Sequence, residues 1–458
     1  MDPTDLAFAG LARQAELIAA GEVSSRELTE LYLARIARLD PLLNAYRVVP
    51  AESALAAADA ADARRRTEGD RAGTLNGVPI AIKDDTDVAG ELTARGSLAH
   101  GGPTAQDAEV VRRLRAAGVV LLGKTHVPEL EIAPATESLA FGATRNPWDP
   151  ARTPGGSSGG SGAAVAAGLA AAALGTDGAG SIRIPAGACG LFGLKPQRGR
   201  LPVRPGLHGM TVAGPITRGV LDAARFCDAA KSSGPSFADA ARTPPGRLRI
   251  AWSVKVPKPV LAKVDEEQRG AVQRTAERLA ALGHHVEQRD PEVGSEALSV
   301  TTRYLHGIHE EAKAMAHPER LSRRTRGFAA MGARIPAALV RRADLSERGH
   351  RARMERFLAD IDVLLTPVFT RRPPPIGEWD GLPAPLAFNG FVNFVPHLGL
   401  FNHTGQPAAA LPVEQAPDGF PVAVQAVGRP DGEPTLLALA AQLEAETGWT
   451  TRRPAMAA

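Results

Sequence analysis

The chain contains little cysteine and few aromatic residues. Of its 458 residues, 2 are cysteines, and Phe, Trp and Tyr together make up 4%. Cys189 and Cys227 lie too far apart for the close spacing of a metal site, and two cysteines make no disulfide framework. We therefore expect each to be a buried structural thiol. The histidines are scattered as well, so we expect neither a metal ion nor a cofactor.

The chain also lacks a strong charge imbalance and a long apolar run. Its formal net charge is +3, which gives no basic patch of the kind that nucleic-acid binding demands. The N-terminus has no basic-then-apolar order typical of a secretory signal, and the alanine-rich stretches carry too many Arg, Asp and Gly residues to span a bilayer. We expect a cytoplasmic protein with neither nucleic acid nor membrane as a partner.

Glycine, by contrast, is abundant around two serines. Residues 152–162 contain Ser157 among five glycines, and residues 175–183 place Ser181 after Gly175, Gly178 and Gly180. Glycine-rich loops turn at positive φ and bring backbone N–H groups close to a ligand. A serine on such a loop can attack a carbonyl while the loop stabilises the negative charge that forms. The pattern indicates an acyl-transfer site.

Lysine is rare here because most basic residues are arginine, and Lys83 ends an apolar strand. The alternation of Val78, Ile80 and Ile82 puts Lys83 on the other face with Ala81, where we expect it to be buried. Burial favours the neutral amine, which can accept a proton. A lysine paired with Asp84 or Asp85 remains the alternative on local sequence.

The Lys83 strand and the two serine loops occur in a fixed order with further short motifs. These motifs are Gly77-Val78-Pro79 with Lys83-Asp84, Gly123-Lys124-Thr125 with Pro128-Glu129, Gly142 with Arg145-Asn146-Pro147-Trp148, Cys189-Gly190-Leu191-Phe192-Gly193-Leu194-Lys195-Pro196, Gly214-Pro215, Asp362-Val363-Leu364-Leu365-Thr366-Pro367 and Gly405-Gln406-Pro407-Ala408. Together they resemble the amidase signature family of serine hydrolases, and they cover most of the chain.

The resemblance implies an α/β fold with a central twisted mixed β-sheet covered by helices on both faces. It also implies a Ser–cis-Ser–Lys triad, with Ser181 as nucleophile, Ser157 as the bridging serine and Lys83 as the base. The backbone N–H groups of residues 178–181 would form the oxyanion hole. These residues are Gly178, Ala179, Gly180 and Ser181.

The sequence departs from the family at Ala179, because the family's loop usually reads Thr-Gly-Gly-Ser. If this position needs a positive φ, alanine is strained there and the oxyanion geometry could shift. We interpret the missing threonine as extra room beside Ser181.

Other residues of the two loops are assigned supporting roles. We expect Asp177 and Arg183 to form an ion pair that braces the Ser181 loop. Ser158 and Ser161 are predicted to cap an alanine-rich helix over residues 163–173.

Two competing motifs are weaker. Residues 118–125 match a phosphate-binding P-loop, but Val-Val-Leu-Leu at their centre indicates a buried strand instead of a loop. A Ser-His-Asp arrangement using His208 or His397 lacks a supporting local pattern.

Elsewhere the sequence alternates between predicted helices and strands. Ser24 and Glu27 form a capping box before a helix that should stop at Asp40-Pro41. The other predicted elements are helices at 51–67, 106–117 and 263–282, strands at 119–122 and 249–253, a linker at 231–245, and a helical, arginine-rich part at 291–351.

Because motifs run from end to end, we expect residues 1–458 to form one domain. Within it we expect a catalytic core at 60–225, a variable, substrate-specific part at 246–360 and a C-terminal return to the core at 361–450.

The scarce aromatic residues cluster near the C-terminal motifs, where they could form core or line a substrate pocket. The predicted pocket residues are Ala133, Ala135, Thr136, Phe388, Phe391, Phe394 and Phe401. We interpret the chain as an amidohydrolase of small, fairly apolar or aryl amides, with esters and carbamates as further substrates, acting as a homodimer by default. The alternatives are a glutamine-dependent transamidase subunit that needs protein partners, and a catalytically silent protein of this fold.

Overall fold

A computed structural model of the chain describes residues 1–294 and 296–457. Thirteen strands and sixteen α-helices alternate along them. The strands are β1 (Tyr46–Val48), β2 (Pro79–Lys83), β3 (Val120–Thr125), β4 (Glu137–Ser138), β5 (Gly142–Ala143), β6 (Ala172–Asp177), β7 (Phe192–Lys195), β8 (Val212–Thr217), β9 (Arg249–Trp252), β10 (His285–Gln288), β11 (Val363–Pro367), β12 (Ala408–Gln415) and β13 (Pro421–Gly428). The helices are α1 (Pro3–Ala7), α2 (Gly10–Ala20), α3 (Ser25–Leu43), α4 (Ala51–Glu68), α5 (Glu109–Ala116), α6 (Gly159–Ala166), α7 (Arg183–Ala188), α8 (Val220–Ala230), α9 (Phe237–Arg242), α10 (Glu266–Ala281), α11 (Glu296–Ala314), α12 (Arg323–Ala333), α13 (Ala337–Phe357), α14 (Ala384–Phe394), α15 (Gly399–Thr404) and α16 (Glu433–Thr447).

Eleven of the strands form one mixed sheet with helices around it, which confirms the predicted fold class. The strand order is β1-β3-β2-β6-β8-β7-β12-β13-β11-β9-β10. β2 pairs in parallel with both β3 and β6, so the carboxyl ends of these three strands meet at one edge of the sheet. Lys83 ends β2 and Asp177 ends β6, which brings the predicted base to the loop that carries Ser181.

The predicted capping box is present, but the helix that follows it is longer than expected. Ser24 accepts the Glu27 amide, while the Glu27 carboxylate accepts the Ser24 amide. α3 then continues through Pro41 to Leu43 instead of stopping at Asp40. The Leu43 side chain is fully buried, and the Asp40 carboxylate accepts the amides of Ala45 and Tyr46. Tertiary packing therefore outweighs the helix-breaking tendency of proline here.

The helix predicted at 163–173 is also wrong in its position. α6 occupies Gly159–Ala166, and Ala172 and Ala173 instead begin β6 in the centre of the sheet. A Cβ on Gly160 would lie 2.5 Å from the carbonyl oxygen of Ala45, so glycine allows this helix to pack directly on neighbouring backbone. Alanine-rich sequence fits a helix by propensity, but here close packing decides the element.

Ser158 and Ser161 do not cap α6. The Ser158 hydroxyl donates to the Thr176 carbonyl, and the Ser161 hydroxyl donates to the Leu174 carbonyl. Both serines therefore join the start of α6 to β6, a connection that the local sequence does not reveal.

The other predicted helices and strands are present with small shifts in their bounds, whereas the predicted linker contains a helix. Residues 231–245 include α9, which Ser236 caps and which buries Phe237. The stretch 291–351 is helical as predicted, in α11, α12 and most of α13. Cys189 and Cys227 are free, buried thiols, and burial raises the pKa of each. Within residues 1–294 and 296–457, none of the helices has the length and apolar character of a membrane span.

Gly123 tests how tightly the edge strands pack. A Cβ at this position would lie 2.2 Å from the Val48 carbonyl oxygen in β1, so we expect Gly123→Ala to lower the free energy of unfolding by about 1–3 kcal/mol. Gly349 in α13 is the matched control, since a Cβ there would have no atom within 4 Å and alanine favours helices. Gly349→Ala should leave the melting temperature unchanged or raise it. Thermal scans at one scan rate compare the two, and equal shifts would contradict the packing argument.

Candidate active site

Lys83 is fully buried at the end of β2 and its amine contacts both glycine-rich loops. Its Nζ donates to Ser157 Oγ at 2.8 Å. It also donates to Thr176, to the hydroxyl at 2.7 Å and to the carbonyl at 3.2 Å. The structure thus brings together two of the three residues that the sequence predicts as a triad, Lys83 and Ser157, within direct hydrogen-bonding distance.

Asp85 joins the same group of side chains. Its carboxylate lies 3.2 Å from Lys83 Nζ, accepts a hydrogen bond from the Thr176 hydroxyl and accepts the Thr86 hydroxyl at 2.9 Å. Burial raises the pKa of Asp85, but the charge of Lys83 and the two hydroxyl donors outweigh burial, so the net shift of this pKa is downward. The contacts of Lys83 are compatible with both interpretations left open by the sequence. Its amine contacts Ser157 and is also paired with a carboxylate.

Ser157 lies on a tightly held loop. The peptide bond between Gly156 and Ser157 is cis, and Gly155 has a φ of 82°. Thr136 donates to the Gly155 carbonyl at 2.9 Å and accepts the Gly159 amide at 3.1 Å. The Ser157 side chain is fully buried and points from this loop to Lys83.

The loop that carries Ser181 is organised by the Asp177 carboxylate. It accepts the backbone amides of Gly180 at 2.6 Å and Ile182 at 3.1 Å. Asp177 also forms a bidentate ion pair with Arg183, with distances of 2.8 and 2.9 Å, and both side chains are fully buried. Burial raises the pKa of Asp177, but the charge and hydrogen bonds of Arg183, together with Lys195 and Asn402, outweigh burial, and the net pKa lies well below the usual range.

These contacts change the predicted oxyanion hole. The Gly180 amide is donated to Asp177 and is therefore not a free donor, which corrects the prediction for this residue. Gly180, with a φ of 127°, takes the positive φ that was considered for Ala179. Ala179 is not among the residues with positive φ in the described part of the chain, so the condition under which alanine would be strained there is not met.

A cavity of about 1280 Å³ opens at this edge of the sheet. Ser181 is half-buried and lines the cavity together with Ser157, Thr176 and Asp85. The Ser158 amide donates to the Ser181 carbonyl at 3.3 Å, which joins the two serine loops. Apolar side chains form much of the remaining wall. They include Ile132, Ala133, Val300, Tyr304, Phe388, Phe391 and Leu400.

The structure corrects four of the predicted pocket residues. Phe394 stacks on Phe369 in the core with ring centres 5.0 Å apart, and Phe401 packs in a separate core cluster with Met354. Ala135 and Thr136 lie behind the cavity wall, against residues 155–159 of the Ser157 loop. A Cβ on Gly156 would lie 2.7 Å from the Ala135 nitrogen, so the Ser157 loop packs directly against the backbone at Ala135.

Sequence reasoning missed a charged part of the same wall. Arg95 pairs with Glu131 at 2.6 Å and with Glu311 at 2.5 Å, and all three residues line the cavity. Arg95 and Glu131 have φ values of 52° and 55°, an unusual conformation for side chains of their size. No short motif joins these residues, because Glu311 is far from the other two in sequence.

The competing motifs do not form sites in the structure. Lys124 lies in β3, where its amine contacts Asp84 at 2.9 Å and the Leu92 carbonyl at 2.9 Å, so residues 118–125 are not a P-loop. Among the described residues, neither His208 nor His397 belongs to the cavity lining. His397 is buried and contacts the Lys255 carbonyl at 3.2 Å.

Comparisons with known proteins agree with this geometry. The family model described as Amidase matches residues 27–437. The putative amidase AmiB2 of Mycobacterium tuberculosis (strain ATCC 25618 / H37Rv) is 50% identical over 463 residues, which cover 100% of both chains. A structure of 6-aminohexanoate cyclic dimer hydrolase complexed with substrate has a TM-score of 0.88 and 32% identity, covering 99% of this chain and 100% of that one. A bacterial aryl acylamidase of the amidase signature family has a TM-score of 0.84 and 25% identity, covering 96% of each chain.

The chain therefore belongs to the amidase family whose members carry the amidase signature. It is an amide-hydrolysing enzyme, as the resemblance implied.

The ion pair below Ser181 gives a stability prediction with a defined pH dependence. Because Arg183→Met would leave the Asp177 carboxylate buried without its partner, we expect it to lower the free energy of unfolding by about 3–5 kcal/mol. The pKa of Asp177 is lowered in the folded state, so the ion pair stabilises fully above the unfolded pKa of about 3.9, and this stability is lost as the pH falls below it. The stability of wild type should therefore fall more steeply with decreasing pH than that of Arg183→Met. Melting temperatures of both proteins between pH 3 and pH 7 measure this difference.

Arg112→Met is the matched control, because Arg112 makes a bidentate ion pair with Glu109 at an exposed surface. This variant should leave the melting temperature nearly unchanged, because an exposed ion pair contributes little to stability. A similar loss in both variants, or parallel acid limbs for wild type and Arg183→Met, would contradict the role given to the buried pair.

Proposed function

We propose that the enzyme cleaves amide C–N bonds through an acyl-enzyme on Ser181, with Ser157 and Lys83 as a proton relay. The observation that carries the proposal is the 2.8 Å hydrogen bond between Lys83 Nζ and Ser157 Oγ, at the wall of the cavity that Ser181 also lines. At this distance a neutral amine could accept the Ser157 proton directly, which is the first step that the relay requires. The described hydrogen bonds of Lys83 reach Ser157 and Thr176, so they support proton transfer between Lys83 and Ser157. The proposed proton transfer between Ser157 and Ser181 is supported by the cavity that both residues line.

In this mechanism the neutral amine of Lys83 accepts the proton of Ser157, and Ser157 accepts the proton of Ser181. The Ser181 oxygen then attacks the substrate carbonyl carbon, and the C–N bond breaks as the relay returns a proton to the leaving nitrogen. Water, deprotonated by the same relay, releases the acid from Ser181. Asp85 and Thr176 hold the amine of Lys83 in place between these steps.

Backbone amides of Gly178, Ala179 and Ser181 would stabilise the oxyanion. Gly178, Ala179 and Ser181 line the cavity, whereas the Gly180 amide is donated to Asp177. By this bond and its bond to Ile182, Asp177 holds the loop in one conformation, so the remaining donors need no reorganisation during the reaction. Each such donor typically contributes about 2.7–4 kcal/mol to transition-state stabilisation.

The cavity favours small amides with an apolar or aryl group. Phe388 lies near Tyr304 with ring centres 6.1 Å apart, and both line the wall with Phe391, Val300 and Leu400. Two of the related proteins are named for hydrolysis of a cyclic amide dimer and for aryl acylamide hydrolysis, which fits a cavity of this size. Esters and carbamates present the same carbonyl to Ser181, so we include them as further substrates. Residues 296–316 supply a large part of the lining, which supports a substrate-specific role for residues 246–360.

Hydrolysis of a four-member panel tests the relay and narrows the substrate. We expect wild type to cleave at least one of an aryl anilide, an aliphatic amide, a nitrophenyl ester and an aryl carbamate. Lys83→Met should lower kcat by about 10²–10⁴-fold, because it removes the general base, and Ser181→Ala should remove covalent labelling by a fluorophosphonate probe. Lys313→Ala, at an exposed position of α11, is the control and should behave like wild type. Full activity of either active-site variant would refute the relay, while a labelled but amide-inactive wild type would leave only ester or carbamate cleavage.

The pH profile provides a second test, because Lys83 must be neutral to accept a proton. We expect kcat/KM to rise with pH until the neutral amine predominates. Asp85→Asn removes the carboxylate that lies 3.2 Å from Lys83 Nζ, so we expect the position of this limb to change. Asp87→Asn is the matched control, as Asp87 lines the same cavity without an ion pair to Lys83. A limb that stays in place in Asp85→Asn, or a flat profile in wild type, would count against Lys83 as the base.

A further inference from the structure

Two histidines that the sequence leaves isolated meet outside the catalytic cavity. His208 lies in the short turn Leu207–Gly209, and His306 lies on α11. Their ring nitrogens, Nε2 of His208 and Nδ1 of His306, are 2.8 Å apart. The Glu310 carboxylate completes the group, at 3.4 Å from His208 Nε2 and 3.9 Å from His306 Nδ1. We define these three residues, His208, His306 and Glu310, as the histidine cluster.

The spacing of the cluster suits a tetrahedral metal ion. A zinc ion with ligand bonds of 2.0–2.1 Å separates its ligand atoms by about 3.3 Å. The ring nitrogens are closer together than this value, and the two Glu310 oxygens, one facing each histidine, are slightly further away, with one ligand atom from each residue lying within 4.8 Å of the others. Side-chain rotations would be needed to bring the three ligand atoms into range. Two imidazoles and one carboxylate are a ligand set that zinc accepts, with a fourth position open to water.

The surroundings of His208 resemble the outer sphere of a metal site. The other ring nitrogen, Nδ1, lies 3.5 Å from the Asp344 carboxylate on α13. A metal-bound histidine almost always donates its second N–H to a carboxylate, a carbonyl or water, and this bond sets the ring orientation. Asp344 thus lies on the Nδ1 side of the His208 ring, and Nε2 on the opposite side of the ring faces His306.

Charge also favours a cation at this place. Glu310 pairs with the two histidines, whereas the neighbouring Glu311 is already neutralised by Arg95 and Arg204. The carboxylate of Glu310 is more than half exposed, so an ion can reach the cluster from solvent. Arg303 lies beside both this cluster and His403, because it donates to the His208 carbonyl, lies 3.3 Å from the Asp344 carboxylate and contacts His403 Nδ1 at 2.9 Å.

We propose that His208, His306 and Glu310 form a zinc-binding site that ties the turn before β8 to α11. The turn carries Leu207, which lines the catalytic cavity and would lie 2.7 Å from a Cβ on Gly307 of α11. A bound ion would therefore hold the turn against α11 from a second side. No step of the amide hydrolysis depends on this ion, so the proposal is independent of the proposed catalytic relay.

Competition with a chromophoric zinc chelator, on protein without an affinity tag, tests the site. We expect wild type to bind one zinc ion per chain, and His306→Gln and Glu310→Gln each to weaken binding at least tenfold. Asp344→Asn, which changes the carboxylate beside His208 Nδ1 and its pair with Arg303, should weaken it by about 10- to 100-fold. His317→Gln is the matched control, because His317 and Glu319 form an exposed pair at 3.4 Å without a second histidine. The control should bind zinc like wild type.

A thermal scan separates loss of the ligand from loss of folding. Zinc should raise the melting temperature of wild type and of His317→Gln, because an ion that binds only the folded state stabilises it. Glu310→Gln changes an exposed side chain, so it should melt like zinc-free wild type and show no increase with zinc. Absence of zinc binding by wild type, or equal zinc binding by wild type and Glu310→Gln, would overturn the proposal.

Discussion

The buried ion pair between Asp177 and Arg183 is the constraint on which the Ser181 loop depends. Two charges in a dry interior cost several kcal/mol each unless hydrogen bonds satisfy them completely. Asp177 therefore draws the amides of Gly180 and Ile182 around its carboxylate, which bends the chain at Ser181. Arg183 in turn donates to the Leu398 carbonyl, Gln425 and Asn402. This ion pair thus connects the loop after β6 to α15 and to β13, which lies four strands away from β6 in the sheet.

The position of Lys83 follows from the parallel arrangement of β2 and β6. Ala81 and Ile82 of β2 stand beside Ala173 and Leu174 of β6, so the residues that follow in each strand emerge at the same edge. Lys83 therefore meets Thr176, and the loop before α6 supplies Ser157 from above. The sheet sets the distance between the two strand ends. The Lys83 amine is therefore held at a fixed position from which it contacts both loops.

The family resemblance predicted the fold class, and local alternation predicted which residues end a strand, because strands can be recognised from short patterns. Lys83 is an example, since alternation in β2 already placed it in the interior. Contacts set by tertiary packing were beyond this reasoning. Phenylalanines 388 and 391 line the cavity while 394 and 401 are core, although all four lie close together in the chain. Only the orientation of α14 and α15 against the sheet separates them.

Both groups of residues that sequence reasoning missed involve α11. Val300, Tyr304, Ile308 and Glu311 recur at the spacing of one helix face and line the cavity. His306 and Glu310, four residues apart, form another stripe of the same helix and meet His208. The pattern of α11 predicts a helix but not its partners, because those partners come from residues 95, 131 and 208, far away in sequence. The same helix thus lines the substrate cavity with one face and contacts the Leu207–Gly209 turn with the next.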